Sequence, residues 1–166
     1  MKRAIAMILC VVLLAGGLFA CKKAETQTVS SMYDLSRAML AATDFDEMTY
    51  VSSADTDPAN LLSYASDIDY DLVDAFFMAF AKDGKGNADE LCVIALKDAA
   101  NAAAAEASLK QHLEKRISLY ATYDPTQSKK VENGLVFSQG QYAVFIVSND
   151  NAAVKTAFTT FLSDQK

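Results

Sequence analysis

The chain has 166 residues, 52% hydrophobic and 22% charged, with two prolines, six glycines and no tryptophan, so collagenous, low-complexity and fully disordered classes are excluded. One domain of this length can bury a substantial core without disulfide or metal staples. A formal net charge of −6 sets nucleic acid aside as a partner, because an acidic surface repels a phosphate backbone.

Met1-Lys2-Arg3 precedes a run, residues 4–20, without charge, which is the pattern of an export signal. The run is shorter than the roughly 20 apolar residues of a spanning helix. Gly16-Gly17 further lowers its helix propensity, so cleavage is expected. Leu18-Phe19-Ala20-Cys21 resembles the lipobox of bacterial lipoproteins, with Phe19 where a small residue is usual. An ordinary signal-peptidase cut after Ala20 fits less well, since Leu18 is not small. The resemblance implies lipidation at Cys21 and a membrane partner reached through an N-terminal diacylglyceryl-cysteine, two acyl chains being enough for stable anchoring. Loss of Lys2 and Arg3 moves the net charge from −6 to −8, so attachment would come from the lipid and not from a basic face. Residues 21–30 read as lipidated cysteine and flexible tether, spanning roughly 15–19 Å as a coil. With Cys10 in the signal and Cys21 lipidated, Cys92 stands alone in an apolar strand and reads as a small core residue.

The remainder, 31–166, reads as a single domain. Ser31-Met32-Tyr33-Asp34 has capping-box spacing, and Met32, Leu35, Met39 and Ala42 share a face, predicting a helix over about 31–43. An acidic, mixed segment leads to Asp57-Pro58, which offers an N-cap and a first-turn proline for a short helix over 58–65. Residues 72–81 and 90–97 read as a hairpin turned at 82–87. Asp98 then caps a long helix with Leu109, Leu113, Ile117 and Tyr120 on its buried stripe. A loop at Tyr123-Asp124-Pro125 and a helical turn before Asn133-Gly134 lead to a second hairpin, 135–138 and 142–148, turned at Gln139-Gly140-Gln141. Asn149 or Asp150 caps the last helix, whose buried face carries Val154, Ala157, Phe158, Phe161 and Leu162. The fold class is therefore α+β, an antiparallel four-stranded sheet from two β-β-α units with N-terminal helices.

The order of features, with Ala88-Asp89-Glu90-Leu91 opening a strand, Lys97-Asp98 ending one, then Tyr123-Asp124-Pro125 and Gly140-Gln141-Tyr142, resembles the DUF4358 family of bacterial lipoproteins. The resemblance covers roughly residues 32–163 and is most recognisable over 123–147. It implies location and fold, and brings no assigned activity and no catalytic residues.

The residues themselves offer little chemistry. Asp67-Ile68-Asp69-Tyr70-Asp71 resembles the first half of an EF-hand loop, but Leu72 stands where the turn needs glycine and Met78 where the bidentate glutamate belongs. Asp67, Asp69 and Asp71 are thus weak metal candidates, with Asp74 a further oxygen, set against a solvated acidic turn. His112 has Leu109, Ser108, Lys115 and Arg116 three and four residues away, none a typical metal ligand, and reads as an exposed helical histidine. Val136 spoils a nucleophile elbow around Ser138, Gly84-Lys85-Gly86 lacks phosphate-loop spacing, and pairs such as Asp89-Glu90 are expected by chance among 21 acids. No catalytic residue and no cofactor is expected.

Three strands are apolar at both parities, so both sheet faces need a cover. Either the two N-terminal helices cover the second face, or Phe76, Met78 and Phe80, or Phe77 at the opposite parity, form an interface with a partner or a second copy. The leading expectation is a membrane-anchored, non-enzymatic binding or structural module of the cell envelope, with an envelope protein or small ligand as partner. The alternatives are an extracytoplasmic hydrolase or metal-dependent enzyme using acidic residues and, less fitting at this length, a transporter-feeding solute-binding lipoprotein.

Overall fold

The computed structural model describes residues 32–82 and 87–165. The expected export signal, Cys21, the tether, Ser31 of the capping box and residues 83–86 of the first hairpin turn lie outside the described residues. The elements in order are α1 (Met32–Leu40), β1 (Met48–Ser52), α2 (Pro58–Leu62), a 3-10 turn (Tyr70–Leu72), β2 (Val73–Ala81) and β3 (Glu90–Leu96). A second 3-10 turn (Ala99–Asn101) runs into α3 (Ala102–Tyr123), followed by α4 (Pro125–Glu132), β4 (Leu135–Gln139), β5 (Tyr142–Val147) and α5 (Asn151–Asp164).

Aspartates begin most of the later helices. Asp98 accepts a hydrogen bond from Ala100 N, Asp124 from Thr126 N and Asp150 from Ala153 N, each satisfying a backbone donor that the helix start would leave orphaned. Asp124 and Pro125 extend the single helical turn expected before Asn133 into the eight-residue α4. Asp57 does not act as expected: it sits in the left-handed region at φ 55°, and its side chain makes no cap bond, so Pro58 alone sets the start of α2.

The sheet is antiparallel throughout, in the order β1-β2-β3-β5-β4. It has five strands where four were expected. The added strand, β1, comes from the acidic segment and pairs with β2 in a register that sets Tyr50 opposite Ala79 and Val51 opposite Met78. The tight turn between β4 and β5 rests on Gly140 at φ +58°, a conformation open to glycine without a Cβ penalty.

Period-two alternation divides the side chains between two cores. On one face Phe76 and Met78 of β2, Cys92, Ile94 and Leu96 of β3, and Phe145 and Val147 of β5 meet Leu62 of α2, Ala105 and Leu109 of α3, and Val131 of α4. On the other, Phe77, Leu91, Val93, Tyr142, Val144 and Ile146 meet Leu35 and Met39 of α1 and Val154, Phe158 and Leu162 of α5. Each such large side chain, once fully buried, stabilises the fold by roughly 1.5–3 kcal/mol. The result is a three-layer domain, and it corrects the expected covering: the two N-terminal helices do not share a face. α1 joins α5, while α2 lies with α3 on the opposite side. Phe76 and Phe77 are 0% exposed and Met78 is 4% exposed, so three of the four side chains considered for an interface are covered by the chain's own helices; Phe80 is half-buried.

Candidate ligand cleft

Glu90 opens β3 at the parity of Cys92, Ile94 and Leu96, which directs its carboxylate toward α3. There His112 and Arg116, one helical turn apart, receive it. Glu90 Oε1 lies 2.7 Å from His112 Nε2, and Oε2 lies 2.5 Å from Arg116 Nη1. With a carboxylate as its neighbour, Nε2 is the nitrogen that carries the proton. The Glu90, His112 and Arg116 side chains are 7%, 15% and 17% exposed, so the group works away from bulk water and its hydrogen bonds are correspondingly strong. The His112 ring meets Phe145 edge-on at 5.2 Å between centroids. Arg116 also donates from Nη2 to Ala88 O at 2.8 Å and sits over the Tyr120 ring at 5.1 Å.

The preceding residue builds a second pair. Asp89 Oδ1 accepts from Lys130 Nζ of α4 at 2.9 Å, and the Asp89 side chain is 1% exposed. Asn87 ties this corner together: its Oδ1 accepts from Asp89 N at 3.0 Å, and its Nδ2 donates to Asp46 Oδ2 at 2.6 Å. Two buried atoms of the cluster, Asp89 Oδ2 and Arg116 Nε, have no hydrogen-bond partner.

Asn87, Asp89, Glu90, His112 and Arg116 form the polar side of a cleft of about 410 Å³. Its apolar side is made by Val51 of β1, Leu61 of α2, and Met78 and Phe80 of β2, with Tyr64 and Tyr120 alongside. Clefts of roughly 300–1,000 Å³ with a mostly apolar lining and a few convergent polar groups are the usual form of small-molecule sites.

The sequence candidates fare differently. Asp67, Asp69 and Asp71 are all exposed and serve the local backbone: Asp67 accepts from Ser108 Oγ, and Asp69 Oδ1 accepts from Asp71 N at 3.0 Å to start the 3-10 turn. The Ser108 hydrogen bond holds the Asp67 carboxyl below its ordinary value. Among the described residues no three His, Cys, Asp or Glu side chains gather as a metal cluster, so these aspartates are not brought together. Cys92 is fully buried, and that burial pushes its thiol well above the usual range. His112 departs from the exposed reading, and Asp89 and Glu90 from that of a chance surface pair. Their partners lie across the sheet-to-helix boundary, where spacing along one element carries no information.

One signal for the cluster was available. Leu109, His112, Leu113, Arg116, Ile117 and Tyr120 follow i, i+3, i+4, i+7, i+8 and i+11, the pattern of a single buried face, so a histidine and an arginine stand on the apolar stripe itself. Glu90, at a core-facing parity of an otherwise apolar strand, supplies their complement.

The family described as "Domain of unknown function (DUF4358)" matches residues 52–148. The chain belongs to the DUF4358 family. The DUF4358 span holds every member of the ion cluster, whereas α1 and α5, which cover the opposite sheet face, lie outside it. No curated protein and no solved structure matches the chain. Among the described residues no helix is long and apolar enough to cross a membrane.

Proposed function

We propose that this DUF4358 chain is a lipid-anchored, extracytoplasmic binding module of the cell envelope, non-enzymatic, with its ligand site in the cleft between β2 and α3. The observation that carries the reading is the cleft itself: an apolar side of ligand size set against polar groups already closed on one another. A hydrolase working by acid–base catalysis needs a carboxylate free to take or give a proton. The two carboxylates of the cleft are instead engaged, Glu90 by His112 and Arg116, Asp89 by Lys130, which favours binding over chemistry. The export signal, the lipobox-like Cys21 and the short tether support the anchor and the extracytoplasmic location.

Fractionation of cells expressing the full chain, with metabolic labelling by a fatty acid, tests the anchor. The wild-type chain takes up label and sediments with membranes, and Cys21→Ala does neither. An unlabelled wild-type chain, or a variant that stays on the membrane, would overturn it.

A further inference from the structure

We infer that the cleft takes an uncharged, apolar molecule, recognised by its apolar surface, and discriminates against carboxylates and ammonium groups of the same shape alike. This rests on the cleft reading above and names its ligand class. Glu90 is held by His112 and Arg116, and Asp89 by Lys130. Asn87 is engaged as well: Oδ1 accepts from Asp89 N, Nδ2 donates to Asp46, and its backbone oxygen accepts from the Tyr120 hydroxyl at 3.4 Å. The two atoms left without a partner, Asp89 Oδ2 and Arg116 Nε, are sealed inside the polar wall, out of reach of anything in the cleft. Among the described residues the wall therefore offers no free counter-ion. An ionic head that leaves water here must break an existing pair or stay unpaired, whichever its sign, and either course is strongly unfavourable.

What remains for recognition is apolar area. Leu61, Met78 and Phe80 supply it from the facing side. The space, about 410 Å³, exceeds the roughly 150 Å³ in which an apolar cavity holds a benzene ring, so a substituted ring fits. The sign of the discrimination is the telling feature. An open cation in the wall would make the cleft prefer a carboxylate, and an open carboxylate would make it prefer an ammonium group. A loss shared by both signs is the mark of a wall whose charges are already spent on one another.

A series of matched shape tests this: ethylbenzene, benzyl alcohol, benzylammonium and benzoate, titrated at neutral pH into residues 21–166 carrying Cys21→Ser in place of the lipid. Amide and ring signals are followed by nuclear magnetic resonance. Ethylbenzene is expected to shift the signals of Met78, Phe80, His112 and Tyr120 and to bind tightest, with benzyl alcohol weaker and both ions weaker than ethylbenzene by at least about tenfold. Glu90→Gln leaves Arg116 without its carboxylate, so benzoate should gain on ethylbenzene by about tenfold in that variant while benzylammonium does not. Should the variant fail to fold, the wild-type series decides alone. An ion that binds closer to ethylbenzene than tenfold at these signals, an alcohol that binds as tightly as ethylbenzene, or a folded Glu90→Gln without the gain overturns the inference and leaves the cleft as a binding site. If no compound shifts these signals, or ethylbenzene shifts only others, the cleft reading falls and this inference with it.

Discussion

Glu90 on β3 and His112 on α3 are 22 residues apart in sequence and 2.7 Å apart in space, with Arg116 holding the second carboxylate oxygen. Removing one member of such a group is worse than never having built it, because the others are left charged and buried. Glu90→Ala is expected to cost about 3–5 kcal/mol, read from urea unfolding. The combined change Glu90→Met, His112→Leu and Arg116→Met should recover most of that loss, since hydrophobic replacements remove the desolvation penalty together with the attraction. A triple variant no more stable than Glu90→Ala would show that the cluster matters for reasons other than charge.

The segment after α2 is fastened to α3 by a compact hydroxyl network. Ser66 Oγ donates to Ser108 Oγ at 2.9 Å, Asp67 N donates to the same oxygen at 2.8 Å, and Ser108 in turn donates to the Asp67 carboxylate. Ser108→Ala strands these partners and should cost about 1–3 kcal/mol near neutral pH. Part of that cost depends on pH. The folded-state value of Asp67 is depressed, chiefly by Ser108, so its contribution is complete above the unfolded value of about 3.9 and is lost as pH falls through the lower folded value. The stability gap between wild type and Ser108→Ala should therefore narrow in strong acid. Denaturant curves at several pH values check this, and a gap that widens toward low pH would contradict the assignment.

Continuous apolar runs reveal the central strands, and helical periodicity the apolar stripes of α3 and α5, because those elements bury strongly apolar surfaces. β1 escapes it. Met48–Ser52 is five residues long, half-buried throughout and set among Asp44, Asp46, Glu47, Asp55 and Asp57, so it carries no clear period of its own. Its pairing comes from the free edge of β2, a tertiary effect. The cleft was half legible. His112 and Arg116 on the α3 stripe and an acid at a buried parity of β3 were both visible, but their meeting depends on how α3 crosses the sheet, which no local spacing encodes.

Gly134 is a matter of space. A Cβ there would lie 2.9 Å from the Val131 carbonyl oxygen, 2.9 Å from Leu113 Cδ1 and 3.0 Å from Val147 Cγ2. Two of these neighbours are side chains that can shift slightly, but the carbonyl belongs to the end of α4 and cannot move alone. Gly134→Ala should destabilise by about 1–3 kcal/mol through overpacking. At Gly140 a Cβ meets nothing within 4 Å and the difficulty is the backbone, at φ +58°. Gly140→Ala should cost roughly 1–2 kcal/mol, and Gly140→Asn less. Thermal unfolding of the three variants distinguishes the two mechanisms.

Cys92 offers a probe of opening. Its thiol is fully buried and held in the neutral form by that burial, so in residues 21–166 carrying Cys21→Ser it should resist a thiol reagent that labels the unfolded chain within seconds. Labelling in the native state should track global unfolding and not local fraying, because β3 is buried along its whole length. Fast native labelling would mean that β3 is more accessible than its packing indicates.

Both sheet faces being covered by the chain's own helices predicts a monomer. The large hydrophobic side chains left exposed among the described residues, Tyr33, Tyr64, Leu119 and Tyr123, are spread over α1, the turn after α2, and α3. That is less than the contiguous patch a stable dimer needs. Light scattering of the unlipidated chain over a concentration series should give a single mass, and a concentration-dependent dimer would contradict the closed core.

The sheet order also sets a timetable. β3, buried at all seven positions, has β2 on one side from the moment the first hairpin closes, but its other neighbour is β5, residues 142–147. A chain being made from its N-terminus carries an open, almost wholly apolar strand edge until nearly its last segment arrives, with α3 and α4 emerging in between. Such an edge invites pairing with another unfinished chain. A nonsense truncation before Tyr142 should therefore yield aggregate and not a smaller soluble domain, and chaperone demand should fall mainly on the interval between synthesis of β3 and of β5.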